Sequence, residues 1–223
     1  MSSLLELEKI NAAKAALGYV EDGMVVGLGS GTTAREFIKV LAEQVKKESM
    51  DIVGVPSSFD TRIYAHKLGL AIAEADEVDR IDLAIDGADV ATKTGLLKGG
   101  GGALTREKVV AYAAKRFICI VDSSKVKEKL EGEVVVEVVP FAYNTVMKEL
   151  SKFSKKVGYR VADEKIGPII TDNGNFLLDV EMTVKDPKKT EVDLKNIPGV
   201  VESGIFTKFD KIIVGTKDGS RIL

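Results

Sequence analysis

The chain has 223 residues, 45 % of them hydrophobic and 30 % charged, enough apolar material for one large domain or two modest ones. Its 34 acidic and 32 basic residues leave a net charge of −2, so nothing in the balance demands the basic face that nucleic acid requires. No stretch nears the ~20 apolar residues of a membrane span. The N-terminus shows no apolar core of a signal peptide, and the single cysteine, Cys119, cannot close an internal disulfide, which fits a reducing cytoplasm.

The first half alternates between two periodicities. An amphipathic helix is expected over about 3–20, then an apolar strand "MVVGLG" (24–29). The helix "TTAREFIKVLAEQV" precedes the strand "DIVGVP" (51–56), and a helix over roughly 57–68 precedes the strand "IDLAID" (81–86). After "KGGGGALTREK" (98–108) a helix is expected over about 102–115, followed by the strand "RFICIVD" (116–122). Continuously apolar strands separated by helices indicate a parallel sheet covered on both faces, an open Rossmann-like α/β architecture.

The pattern changes after about residue 130. "EVVVEVV" (133–139) alternates Glu and Val as a half-exposed strand, Pro140 ends it, and "AYNTVMKELSKF" reads as a helix. "KVGYRVA", "PIITDNG" and "NFLLDVEM" read as strands with a hairpin turn at Asn173-Gly174; "PKKTEVDLKNI" is a short helix and "GVVESGIF" a strand. That order resembles a split βαβ or ferredoxin-like α+β unit. The apolar run "KIIVGTKDG" (211–219) rejoins the first sheet. The expected organisation is a Rossmann-like domain of residues 1–130 with 207–223, and an α+β domain of residues 131–206.

Ligands of open α/β sheets collect at the carboxyl ends of the strands, and three loops lie there. "GLGSGTTA" (27–34) lacks the third glycine of a dinucleotide fingerprint and the lysine of a P-loop. It offers backbone N–H groups at a helix start and the hydroxyls of Ser30, Thr32 and Thr33, which suit a phosphate monoester. The plain alternative is a helix cap made by Ser30 or Thr32. "IDGADV" (85–90) carries Asp86 and Asp89 around the small residues Gly87 and Ala88, leaving room for a ligand beside two carboxylates able to move protons or bind hydroxyls. A solvated turn is the alternative; a metal site is disfavoured by one histidine and no third clustered carboxylate.

The third loop is the run of four glycines. Gly99, Gly100 and Gly101 can turn N–H groups toward a developing negative charge, with the ammonium of Lys98 at the edge. Glu107 follows in the second turn of the expected helix, able to fold back over the loop. A flexible linker is the alternative. A phosphate cradle, a carboxylate base, donors for an enediolate oxygen and further carboxylates for hydroxyl protons are the parts of an aldose–ketose isomerisation of a sugar phosphate. A carboxylate is a weak base, so the role asks for burial of Glu107, while a neighbouring Lys98 works the other way. His66 reads as a helix surface or packing residue and Cys119 as buried core.

Taken in order and spacing, "GLGSGTTA", "DGAD", "KGGGGALTREK", "VDSSK" and the C-terminal "ESGIF…IIVGTKDG" resemble the ribose-5-phosphate isomerase A family along essentially the whole chain. The resemblance implies cofactor-free and metal-free interconversion of ribose 5-phosphate and ribulose 5-phosphate through an enediolate, in the non-oxidative pentose phosphate pathway. It implies Glu107 as general base, with Asp86, Asp89 and Lys98 binding hydroxyls, assisting ring opening and moving protons between O1 and O2. Ser30, Gly31, Thr32 and Thr33 would line the phosphate loop, Gly87 and Ala88 the space between the aspartates, and Gly99–Gly101 would supply backbone donors. Lys125 and Lys9 would be further substrate contacts, and the assembly a homodimer or homotetramer. Two positions depart from the family pattern: Ser-Gly-Thr-Thr stands where Thr-Gly-Ser-Thr is common, and Val90 where an acidic residue often follows "DGAD". Two rival readings share parts of this constellation. A CoA transferase would need a nucleotide pocket that a chain of this length leaves little room for. A sugar-phosphate sensor would need an N-terminal DNA-binding module and could dispense with Glu107.

Overall fold

The structure is a computed structural model that describes residues 2–162 and 165–223. It forms two compact units. The first comprises the segments up to Ala88, Arg106–Val126 and Lys208–Leu223; the second comprises Asp89–Thr105 and Lys127–Thr207.

The first unit is built on a seven-stranded sheet. In spatial order its strands are Gly219–Ile222, Lys211–Thr216, Ala114–Asp122, Ile81–Asp86, Val25–Leu28, Val53–Pro56 and Ala71–Ile72. All neighbours pair in parallel except the hairpin 211–216/219–222 at one edge. The run expected as one strand over 211–219 is therefore a strand, a tight turn and a return strand. Burial on both faces explains the continuous apolar runs: Leu83, Ala84 and Ile85 are all buried, as are Ile118 to Val121.

Helices cover both faces of this sheet. Phe37, Ile38 and Leu41 of the helix Thr32–Glu48 share a core with Val26, Leu28, Leu83 and Ile85. The helix Leu104–Ala113 packs on the other face, where a Cβ on Gly27 would lie 2.4 Å from a Val110 methyl group. The first helix, Ser2–Leu17, departs from its amphipathic reading: Ala12, Ala13 and Ala16 are buried, whereas Leu4 and Leu7 are exposed. Small side chains let it approach the sheet closely. The carbonyl of Glu8 occupies the space of a missing side chain at Gly215, where a Cβ would come within 1.8 Å of that oxygen.

The second unit carries a four-stranded antiparallel sheet in the order Val200–Ser203, Glu131–Val138, Phe176–Thr183, Val157–Tyr159. With helices Tyr143–Leu150 and Pro187–Lys195 in the two crossovers, this is the ferredoxin-like arrangement. The alternation along 131–138 decides its faces. Val134, Val136 and Val138 join a core with Val146, Leu150, Leu178 and Leu194, while Val135 faces the other way with Leu104 and Leu177. Glu137 is not half-exposed as the alternation suggests but fully buried. Its Oε1 accepts from Thr171 Oγ1 (2.9 Å), Asn173 Nδ2 (3.0 Å) and Asn175 Nδ2 (2.8 Å), so "TDNGN" is a turn wrapped on a buried carboxylate. A second small sheet pairs Ile205–Phe206, Gly95–Leu97 and Val90–Thr92. These pairings tie residues 89–105, placed with the first domain by the sequence pattern, to the second unit.

Candidate active site

In the first unit the chain moves outward from the strand Val25–Leu28 in one direction and then resumes on its other side with Ile81–Asp86. Such a reversal opens a crevice between the carboxyl ends of the two strands. Gly29 and Asp86 sit there. The Gly29 N–H donates to the Ile85 carbonyl (2.9 Å), and the N–H groups of Ser30 (3.1 Å) and Gly87 (2.7 Å) both donate to Asp86 Oδ1. Only glycine permits this approach, because a Cβ at position 29 would lie 2.1 Å from that oxygen and 2.6 Å from Asp86 Cα.

Beyond Gly29, Gly31 is the N-cap of the helix Thr32–Glu48, and no side-chain hydrogen bond caps that end. The plain capping role for Ser30 or Thr32 is thus not what the loop does. The Ser30 hydroxyl instead joins a cluster that sequence reading misses. It donates to Ser58 Oγ (2.7 Å) and lies 2.9 Å from Ser57 Oγ and 3.1 Å from Thr61 Oγ1. Thr61 Oγ1 in turn donates to the Gly29 carbonyl (2.9 Å). The sequence shows the "SSFDT" segment only as the start of the helix expected over roughly 57–68; in the structure Ser58 caps that helix by accepting from Thr61 N. Gly31 and Thr32 are exposed and Thr33 half-buried, beside a helix start whose N–H groups favour an anion.

Glu107 lies in the first turn of its helix, one turn earlier than expected. The strands Ile81–Asp86 and Ala114–Asp122 are parallel neighbours, so the helix between them runs antiparallel to both. Val110 packs at Gly27, which places Glu107, one helical turn earlier on the same face, toward the carboxyl edge that carries Gly29 and Asp86. Glu107 is 5 % exposed and Asp86 3 %. Lys125 and Lys9 belong to the same unit. Glu8 Oε2 accepts from Ser123 N (2.9 Å) and Ser123 Oγ (2.7 Å), fastening the helix that carries Lys9 to the turn Ser123–Lys125. Buried Asp122 caps that turn through Ser124.

The second unit holds Asp89, Lys98 and the glycine run. Asp89 is anchored by its N–H on the Leu97 carbonyl (2.8 Å), and its Oδ2 accepts from Gly100 N (2.8 Å). One donor expected to face a ligand is therefore engaged by Asp89. Gly99 and Gly102 have φ of 102° and 80° and close a turn through Gly102 N to Gly99 O (2.9 Å). Lys98 is 3 % exposed rather than at an open edge, with its ammonium 5.4 Å from the Phe206 ring centroid. The "SG" of "ESGIF" explains itself here: Lys98 N donates to the Gly204 carbonyl (2.8 Å), and a Cβ on Gly204 would come within 2.1 Å of Lys98 O. Ala88 ends the first unit and Asp89 begins the second.

A model of the family described as ribose 5-phosphate isomerase A (phosphoriboisomerase A) matches residues 53–219. The chain belongs to this family. A ribose-5-phosphate isomerase A of Methanococcus aeolicus is 48 % identical over 220 residues, covering 96 % of this chain and 94 % of that protein. The solved ribose 5-phosphate isomerase A of Methanocaldococcus jannaschii superposes with a TM-score of 0.93 at 44 % identity, covering 97 % of each chain. A D-ribose-5-phosphate isomerase solved in complex with phospho-erythronic acid superposes with a TM-score of 0.94 at 44 % identity over 99 % of this chain and 98 % of that one. Family membership sets aside the CoA transferase and sensor readings. Among the described residues no helix is long and apolar enough to cross a membrane.

Proposed function

We propose that Glu107 is the general base of this isomerase, with Asp86, Asp89 and Lys98 handling the oxygens of the substrate. As a ribose-5-phosphate isomerase A, the chain interconverts the aldose and ketose forms of the pentose 5-phosphate. In the open-chain aldose the Glu107 carboxylate takes the proton from C2, the C1–C2 double bond forms, and the C1 carbonyl oxygen gains the negative charge. Returning the proton to C1 while the O2 proton passes to O1 gives the 2-ketose with its C1 hydroxyl. Backbone N–H groups of the glycine loop and the Lys98 ammonium stabilise the enediolate charge, while Asp86 and Asp89 bind hydroxyls and pass protons between O1 and O2. The uncapped helix start at Gly31–Thr33 receives the phosphate, with Lys125 and Lys9 as further cationic contacts.

The observation that carries this reading is the burial of Glu107 on the face and at the end of its helix that point to the Gly29–Asp86 edge. A carboxylate so placed is shielded from water and fixed in direction, as a base at carbon requires. The test is the steady-state rate of ribulose 5-phosphate formation, with chelator present, for wild type and Glu107→Gln. A metal-independent wild-type rate that falls at least ~10²-fold in the folded variant supports the assignment; full activity in the variant removes Glu107 from the centre. The same reading takes the chain as a cytoplasmic enzyme and its assembly as a homodimer or homotetramer, and light scattering on the purified chain decides between the two assemblies.

A further inference from the structure

The glycine run poses a question that its sequence does not answer. A loop with this much backbone freedom points its N–H groups nowhere in particular unless something holds it. Arg160, in the second unit with the loop, does so. Its guanidinium has five N–H donors in one plane: one on Nε, two on Nη2 and two on Nη1. Nε and Nη2 form a fork on Asp179, at 3.0 Å to Oδ2 and 2.6 Å to Oδ1. Nη2 also reaches Glu133 Oε1 at 2.9 Å. Nη1 donates to two successive carbonyls, Gly99 O at 2.8 Å and Gly100 O at 3.0 Å. Five donors meet five acceptors. The arginine backbone is itself fixed, its N–H on the Leu177 carbonyl and its carbonyl accepting from Ile169 N, both at 2.9 Å.

In a trans peptide the C=O and the next residue's N–H point in opposite directions. Two carbonyls converging on one nitrogen therefore turn the N–H groups of Gly100 and Gly101 away from Arg160. Successive N–H groups on one side make a small anion-binding concavity. Gly100 N–H meets the Asp89 carboxylate. Gly101 is exposed, and a Cβ there would have nothing within 4 Å. The guanidinium also polarises both peptide groups from behind. Its own charge is more than balanced by Asp179 and Glu133, so its influence is on direction and polarisation rather than on the long-range field.

We propose that Arg160 is a positioning residue of the isomerisation: it fixes the Gly99 and Gly100 carbonyls so that Gly100 N–H is seated on Asp89 and Gly101 N–H is aimed at the enediolate oxygen. This rests on the isomerase reading above. Lysine at this position keeps the charge but has no fork and at most three donors, so it cannot hold Asp179 bidentately and both carbonyls at once.

The experiment compares wild type, Arg160→Lys and Arg160→Ala. It measures kcat and KM for ribose 5-phosphate, and Kd for two probes: phospho-erythronic acid, whose carboxylate carries charge where the enediolate does, and inorganic phosphate. The expected result is a ~10- to 100-fold fall in kcat for both variants with KM within ~3-fold, up to the low end of the ~10²- to 10³-fold cost of an oxyanion donor lost outright, because the donor is misaimed and not removed. Phospho-erythronic acid affinity falls by ~10-fold or more while inorganic phosphate is held as in wild type. Millimolar guanidinium restores part of the kcat of Arg160→Ala. Equal weakening of both probes, or wild-type kcat in folded Arg160→Lys, overturns the proposal. If neither variant folds by circular dichroism, Asp179→Asn, which keeps shape and loses the ionic fork, is read the same way: a ~5- to 10-fold fall in kcat with the same split between probes supports the role, and no fall overturns it. A wild type that does not isomerise overturns the isomerase reading instead, and is seen before any variant is made.

Discussion

In the first unit the loop after Leu28 is held by neutral groups: the Ser30 hydroxyl lies among Ser57, Ser58 and Thr61, and Thr61 donates to the Gly29 carbonyl. In the second unit the loop after Lys98 is held by charge, through Arg160 and its two carboxylate partners. Both loops nevertheless share one device. A carboxylate accepts backbone N–H groups where a glycine makes room for it, Asp86 over Gly29 and Asp89 over Gly100. The comparison teaches that the glycines are there as much for what must lie against them as for the conformations they adopt. The hydroxyl cluster adds neutral hydrogen bonds to the hold that Asp86 has on the same loop. The guanidinium suits a loop whose freedom would otherwise be large.

The two glycines are not equally intolerant of a side chain, and that difference gives the largest expected effect. At Gly29 an added Cβ meets the Asp86 backbone as well as its carboxylate, at 2.6 and 2.1 Å, so no rotamer change relieves it. At Gly100 the three nearest atoms are those of the Asp89 carboxylate, at 2.7 to 3.1 Å, on an exposed side chain able to swing aside. Gly29→Ala is expected to cut kcat by ~10²-fold in folded protein, the scale of an ångström-sized misplacement of a reacting group. Gly100→Ala is expected to cost ~10-fold. Equal losses, measured side by side, would mean that the loops and not the carboxylates set the penalty.

The parallel sheet, the ferredoxin-like crossovers and the three loops are legible in the sequence because each rests on local pattern: apolar runs, a change of period, glycines after strands. Glu107, Asp86 and the glycine run lie on helix starts and strand ends that such patterns locate. What is not legible depends on partners distant in sequence. The alternation of 133–139 cannot show that Glu137 is buried, since three donors from 171–175 make that possible. Nor does anything in "VGYRVA" announce that Arg160 reaches two carbonyls about sixty residues away. Residues 89–105 keep the first unit's strand–turn rhythm, yet their partners are Ile205–Phe206 and Gly204.

Glu137 sharpens the contrast between the units on the side of stability. Its carboxylate is the acceptor of Thr171, Asn173 and Asn175 within the second unit. Glu137→Ala leaves the buried Thr171 hydroxyl without its acceptor, at ~1–3 kcal/mol for a group that water cannot reach, while exposed Asn173 and half-buried Asn175 can turn to water. A destabilisation of about 2 kcal/mol is expected in denaturant unfolding. A change below ~0.5 kcal/mol, the range of an ordinary surface substitution, would mean that the turn holds without its buried carboxylate.

The smallest expected effect separates two carboxylates on one strand of the first unit. Asp86, at the carboxyl end of Ile81–Asp86, is the one proposed for the chemistry; Asp82, at the amino end, is bound into the fold. Lys115 donates to Asp82 Oδ1 at 2.8 Å and Val25 N to Oδ2 at 3.0 Å, with Arg80 also within 3.2 Å. The Lys115 hydrogen bond foremost, then that from Val25, lowers its pKa from 3.8 to about 2. A lowered native pKa stabilises the folded state above the unfolded value, and that contribution fades as pH falls through about 4 and is gone below about 2. The shift corresponds to about 2 kcal/mol before allowance for solvent. Lys115 and Arg80 are both more than half exposed, and screening leaves about 1 kcal/mol. Asp82→Asn is therefore expected to lower stability by about 1 kcal/mol at pH 7, to show no difference from wild type near pH 2, and to leave kcat unchanged. Asp86→Asn is expected to reverse the pattern, with kcat lost over the whole working range. If Asp82→Asn instead reduced kcat at full stability, the division of this strand into a structural and a chemical end would be wrong.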